Sequence, residues 1–306
     1  MRVGRLVIVV SAAVVGVLIG AVIALTQSGS ASDKAAPPGT AQHSIATTSA
    51  APTTVPPTTA RTSQSPAPPP SPTPPPIVAP VPVTSAQAAS LPQATTWGRV
   101  TGGVQDPAPT TSTDGTVVHP EHAVPVYAAP GGAAIAMLPD VQVGTPTWLP
   151  VIARAPGWDR VLLPAKPNGV TGWLYDAGGA LSTAHTPWEI HVDLASFRLT
   201  VYKDGREEGS WSAGFGLPDN PTPPSRTFIL SSFTDPDQTY SPVIVPLGVH
   251  SAALDTFGGG PGTVAIHTWP SSDVFGTLSS NGCIRIPADG LDLVEKVPFG
   301  SIVIIQ

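Results

Sequence analysis

The chain has 306 residues, only 11% of them charged, with 39 prolines, one cysteine and a formal net charge of −6. That balance lacks the basic footprint of a nucleic-acid binder, and a lone thiol excludes both an intrachain disulfide framework and a cysteine-held metal centre. No phosphate loop, H-E-x-x-H or G-x-S-x-G motif occurs, so nucleotide-driven, zinc-peptidase and serine-hydrolase chemistry find no support, and no cofactor is expected.

Residues 6–25, LVIVVSAAVVGVLIGAVIAL, carry no charge and are long enough to span a bilayer as a helix. Arg2 and Arg5 precede the run and no basic cluster follows, so the N-terminus is expected in the cytoplasm and the remainder outside. Residues 1–26 therefore read as a membrane anchor, with a cleaved signal peptide ending near Gly29-Ser30-Ala31 as the alternative. Residues 27–96 are rich in Ala, Pro, Ser and Thr, and read as a disordered linker with a reach of roughly 50 Å as a coil.

From Trp97 the pattern changes to short apolar runs separated by glycine turns: 123–130, 134–139, 141–153, 158–164 and 170–176. Five strands in this space predict a small β-barrel over residues 97–182. The order V-P-V-Y, G-W-D-R-V and T-G-W-L-Y resembles bacterial SH3-like domains, a family that often binds cell-wall components. Trp158 or Trp173 would then offer a stacking face, although a spacer with buried tryptophans fits equally well. His119 and His122 flank Glu121, but no third ligand lies near in sequence, so a solvated loop is the expectation.

Residues 187–306 predict a second, mostly-β domain. Strands are expected at 188–194, 198–205, 209–216, 226–232, 242–251, 263–269 and 301–305, with one helix over 287–297 marked by Leu291, Val294 and Val297. The only cysteine lies here, in Ser279-Ser280-Asn281-Gly282-Cys283-Ile284-Arg285. A buried structural thiol is the ordinary fate of a free cysteine. Three features point instead to chemistry. Gly282 permits a close backbone approach, Arg285 brings positive charge that favours a thiolate, and His267 ends an apolar strand sixteen residues upstream. A nucleophile and a base are the minimum for covalent acyl transfer. All seven histidines precede Cys283, which excludes the Cys-before-His order of papain-like and NlpC/P60 peptidases. Sortases share the order but differ in the spacing of histidine and arginine around the cysteine.

The run Ile266-His267-Thr268-Trp269, followed by Ser280-Asn281-Gly282-Cys283-Ile284-Arg285, is similar to the His…[ST]-x-G-C-[IV]-R signature of YkuD-like L,D-transpeptidase catalytic domains. The resemblance implies a β-sandwich-like fold. It also implies an enzyme whose cysteine attacks the third residue of a peptidoglycan stem peptide, releases D-alanine and passes the acyl group to an amine of a second stem. It assigns Cys283 as nucleophile, His267 as general base and acid, and the Thr268 main chain as the group orienting His267. The backbone N–H groups of Asn281, Gly282 and Cys283 would form an oxyanion hole, with Ser280 and Arg285 in support. His250 is the rival base. Asn281 departs from the commonest family form, which has histidine there. Carbapenem-class β-lactams are implied as acylating inhibitors, and the membrane as a partner through the N-terminal helix. A carboxypeptidase using water as acceptor and a non-catalytic wall-binding module are the alternatives.

Overall fold

The computed structural model describes residues 75–306, so the anchor expected at 1–26 and the linker up to residue 74 lie outside the described residues. The described residues begin with a stretch outside regular secondary structure and a short helix, α1 (Ser85–Ser90), whose N-terminus is closed by a capping box between Thr84 and Gln87. Ten strands follow: β1 (Val104–Gln105), β2 (Thr116–Pro120), β3 (Val124–Tyr127), β4 (Ala134–Leu138), β5 (Val141–Gln142), β6 (Thr145–Pro146), β7 (Leu149–Ala155), β8 (Trp158–Leu162), β9 (Val170–Tyr175) and β10 (Leu181–His185). Eight of them form one sheet in the order β10-β2-β7-β8-β9-β3-β4, with β1 paired to β9, while β5 and β6 make a small separate hairpin.

Two boundaries differ from the sequence reading. Residues 75–96 are not featureless linker: Ala94 is fully buried in the core of this region, and its N–H bonds the Met137 carbonyl at 2.7 Å. The C-terminal limit moves too, because β10 pairs with β2 through His185 instead of stopping near residue 182. β2 and β10 went unpredicted because their apolar content is low and Pro120 interrupts the pattern. The expected strand at 141–153 is split, since Gly144 turns the chain at φ +75° between β5 and β6.

The second region contains β11 (Trp188–Asp193), β12 (Arg198–Lys203), β13 (Arg206–Ser212), β14 (Phe215–Gly216), β15 (Ser225–Phe228), β16 (Val245–His250), β17 (Thr263–His267), β18 (Leu278–Ser280), β19 (Ile284–Arg285), α2 (Ala288–Val294) and β20 (Ile302–Ile305). Its sheets run β13-β12-β11-β20-β15, β16-β17-β19 and β14-β18. β20 is inserted parallel to β11 and antiparallel to β15. Because successive side chains of a strand point to opposite faces, β20 serves two cores. Ile302 and Ile304 join the core of the first region, whereas Val303 and Ile305 join that of the second. The same alternation sends Phe228 and Leu230 one way and Ile229 the other. Strands buried on both faces read as unbroken apolar runs, which is why Ile302–Ile305 was legible without any polar alternation.

Polar contacts also tie the two regions together. The Arg226 guanidinium, almost fully buried, donates to both Asp106 carboxylate oxygens and to the Thr111 carbonyl. Asn168 holds the backbone of His250 from both sides, accepting its N–H and donating to its carbonyl.

Candidate active site

Cys283 and His267 come together because β17 and β19 run parallel, with Ile266 opposite Ile284 and His267 opposite Arg285. This register leaves Cys283, one residue before β19, beside the strand that ends in the histidine. Both line one cavity of about 650 Å³. Walls of this cavity come from both regions: Trp97, Gln142 and Val143 from the first, and the Gly258–Gly262 loop from the second. All site residues expected from the sequence lie in residues 187–306, since nothing in the local pattern of Thr95–Trp97 reports a neighbour so distant in the chain. Trp97 is 64% exposed at this wall.

His267 is 5% exposed, and its Nδ1 lies 2.7 Å from the Thr268 carbonyl oxygen. A carbonyl only accepts, so Nδ1 carries the proton and Nε2 keeps its lone pair. Burial lowers the imidazole pKa to about 4; Arg285 acts in the same direction and the bond to Thr268 opposes it. The ring is neutral at physiological pH. Thr268 is itself held, its N–H donating to Ser241 Oγ at 3.1 Å. Tyr240 and Trp269 enclose the imidazole, with centroids 5.0 and 6.1 Å from it.

Cys283 is partly buried, and burial pushes its thiol pKa up, against the smaller lowering effects of the Ala265 backbone and Arg285. A neutral thiol and a neutral imidazole therefore line the same cavity. Arg285 lies over the Trp269 ring at 3.7 Å and donates through Nη1 to the Ser279 carbonyl at 2.7 Å, so its charge is fixed on the cysteine loop.

The loop before the cysteine is tied by Ser280, whose Oγ donates to the Cys283 carbonyl at 2.6 Å and accepts the Gly282 N–H at 3.1 Å. Of the three N–H groups read from the sequence as an oxyanion hole, that of Gly282 is thus engaged within the loop. Gly282 has φ +111°, a conformation that disfavours any side chain even though a Cβ there would meet its neighbours only at ordinary van der Waals distance. Thr222 donates from Oγ1 to the Gly282 carbonyl at 2.9 Å, and Asn220 reaches the exposed Asn281 side chain at 3.4 Å. Thr222, Ser241, Tyr240 and Trp269 were missed as site residues. The only signals were the T-P-P-S-R turn and the tryptophan two places after His267.

His250 is excluded from the cavity lining. It is 1% exposed, and its Nε2 donates to the Thr96 carbonyl at 2.6 Å. Its role is to hold the two regions together, not to act as a base.

Residues 187–305 match the family model of the YkuD L,D-transpeptidase catalytic domain. Similar solved structures include an L,D-transpeptidase from Mycobacterium smegmatis, 16% identical, covering 68% of this chain and 93% of that one at a TM-score of 0.35. L,D-transpeptidase 3 from Mycobacterium tuberculosis, in complex with a faropenem-derived adduct, is also 16% identical over 67% of this chain and 92% of its own, at 0.35. The catalytic domain of the E. faecium enzyme is 25% identical over 39% of this chain and 95% of its own, at 0.30. At TM-scores of this size the structural likeness adds nothing to the family match. No curated protein sequence matches the chain. Within the YkuD-matching region lie Cys283, His267 and all the loop contacts described above, while Trp97, Gln142 and Val143 lie outside it.

Proposed function

We propose that the chain is a peptidoglycan L,D-transpeptidase. The observation that carries this reading is the neutral His267, its tautomer set by Thr268, lining one cavity with Cys283 inside the YkuD match. In the first half-reaction the Cys283 sulfur attacks the carbonyl carbon of the third stem residue while His267 Nε2 takes the thiol proton. The tetrahedral oxyanion is met by the N–H groups of Cys283 and Asn281, since Gly282 is engaged by Ser280. Collapse breaks the C–N bond, the imidazolium returns its proton to the departing D-alanine amine, and a thioester remains. In the second half-reaction His267 takes a proton from the acceptor amine as it attacks, and the thiolate leaves and is reprotonated.

The raised thiol and lowered imidazole favour deprotonation in concert with attack over a resting thiolate–imidazolium pair. The same thiol would open a carbapenem ring and retain the acyl group. On this reading residues 6–25 hold the chain in the cell membrane and the proline-rich stretch carries the catalytic region toward the wall. Mass spectrometry of purified tetrapeptide stems incubated with the protein tests the reaction. Cross-linked dimers with loss of D-alanine are expected. Shortened monomers alone would mean that water is the acceptor, and no change with intact Cys283 would overturn the assignment.

A further inference from the structure

A second feature stands apart from the cysteine cavity and is independent of the reading of its chemistry. Tyr127, Trp158 and Tyr175, from the adjacent strands β3, β8 and β9, form an aromatic cluster. The Trp158 ring meets Tyr127 at 5.2 Å and Tyr175 at 5.1 Å, both edge-on. Trp158 is 1% exposed, so it is no open stacking face for a wall component. What covers it is the chain's own segment Ile77–Val83, in which Pro80 and Pro82 follow the prolines at 74–76.

The attachment is of an unusual kind. The segment joins no sheet, and its recorded hydrogen bonds to this face are made by aromatic side chains: Trp158 Nε1 donates to the Val78 carbonyl at 2.8 Å and Tyr127 Oη to the Val81 carbonyl at 3.0 Å. The two acceptors are three residues apart, the repeat of a polyproline II helix, which has no internal hydrogen bonds and turns its carbonyls outward. Beneath it, Gly157 and Gly131 keep the floor low. A Cβ on either would come within 2.7 Å of Ile77 and 2.5 Å of Val78, respectively. Ile77, Val78 and Val81 stay about half exposed, as a ligand lying in a shallow groove would. Indole and phenol donors at one spacing, on an aromatic floor, are the means by which proline-rich segments are read.

We propose that the Tyr127–Trp158–Tyr175 face is a recognition groove for proline-rich peptides in polyproline II conformation, filled in cis by Ile77–Val83. Its ligand class is an extended apolar peptide with two accepting carbonyls three residues apart, the second, that of Val81, lying between Pro80 and Pro82. The groove clamps the end of the proline-rich stretch, so the chain is held to this region from Ile77 onward and not only from Trp97. Because the cis segment is tethered beside the groove, a peptide supplied in trans competes against a millimolar effective concentration.

The test uses the full chain with Ile77–Val83 replaced by an equally long Gly/Ser run, which empties the groove without altering its walls. A fluorescein-labelled peptide of residues 75–84 is titrated and followed by anisotropy. Saturable binding to this variant is expected, with affinity at least about tenfold weaker on the parent chain. Binding should be lost when Tyr127→Phe and Trp158→Phe are added, or when both Pro80 and Pro82 of the peptide become Gly. A cooperatively melting variant that binds no peptide, or that binds the glycine peptide equally well, overturns the proposal. If the variant fails to melt cooperatively, Tyr127→Phe in the otherwise intact chain decides. Elastase cleavage within 77–83 should accelerate at least fivefold relative to cleavage elsewhere, and an unchanged ratio overturns the groove.

Discussion

His267 and Thr268 are neighbours in sequence, and the hydrogen bond from the Nδ1 of one to the carbonyl of the other, 2.7 Å long, decides which nitrogen of the imidazole faces the cavity as a base. The contact depends on backbone geometry alone, so the threonine side chain is dispensable to it.

The pH dependence of acylation follows from that pair. His267 titrates near pH 4 and the Cys283 thiol above its ordinary value, so the reactive neutral–neutral state spans the whole physiological range. Carbapenem acylation followed by mass should be flat from about pH 5.5 to 8 and fall only toward pH 4. An acid limb near 6.5 would mean that the imidazole is not buried during attack. In His267→Ala the plateau should give way to a continuous rise with pH.

Stability should depend on pH through the same residue. The folded pKa lies below the unfolded value, so the unfolded chain takes up a proton first as the solution is acidified. Stability is complete above about pH 6.5 and declines toward pH 4, by on the order of 3 kcal/mol from His267. Urea unfolding of wild type and His267→Ala at pH 7 and 4.5 measures the difference. The buried His250 acts in the same direction in both proteins and cancels in the comparison.

Ser280→Ala should uncouple fold from chemistry. It leaves the Gly282 N–H and the Cys283 carbonyl without their partner, at about 1–3 kcal/mol. Acylation should slow by at least about tenfold, because the loop that aims the thiol loses its internal tie. An unchanged rate would show that Thr222 and the Arg285–Ser279 contact suffice.

The Arg226–Asp106 pair joins the two regions in a buried setting, where loss of one partner strands a charge. Asp106→Asn should lower stability by about 3–5 kcal/mol, while the double change Asp106→Leu with Arg226→Met should cost less than either single change. Urea denaturation of Asp106→Asn, Asp106→Leu, Arg226→Met and the double variant checks both statements.

A chain beginning at Trp97 should melt at a markedly lower temperature than one beginning at residue 75. The shorter chain lacks the buried Ala94, the Thr96 carbonyl that receives His250, and the cover over Trp158. Equal melting temperatures would show that residues 75–96 are incidental.

That last case marks where sequence stopped being informative. The strands of the second region were legible because Ile190, Val192, Leu199 and Val201 alternate with polar neighbours and glycines punctuate the turns. The cysteine loop was legible because a rare residue type, an arginine and a distant histidine carry a signature of composition and order. Residues 75–96 gave no such signal. Their prolines describe local stiffness, and the aromatic face they cover is assembled from strands 40 to 100 residues later. Trp97, Gln142 and Val143 were missed at the cavity for the same reason: the first reads as the start of a domain and the other two as part of an ordinary strand until the first region is set against the second.

β20 pairs in parallel with a strand more than 100 residues earlier, with Ile190 opposite Val303. Bringing together partners so far apart carries the entropy cost of closing a long loop, and such closures are slow. Cys283 and His267 both lie inside that closure. Burial in the finished fold holds the Cys283 thiol neutral, whereas an unburied thiol ionises at its ordinary pKa. Ile302–Ile305 thus fasten both cores at once, and the segment that carries the nucleophile and its base is enclosed between the two strands of a single parallel pair.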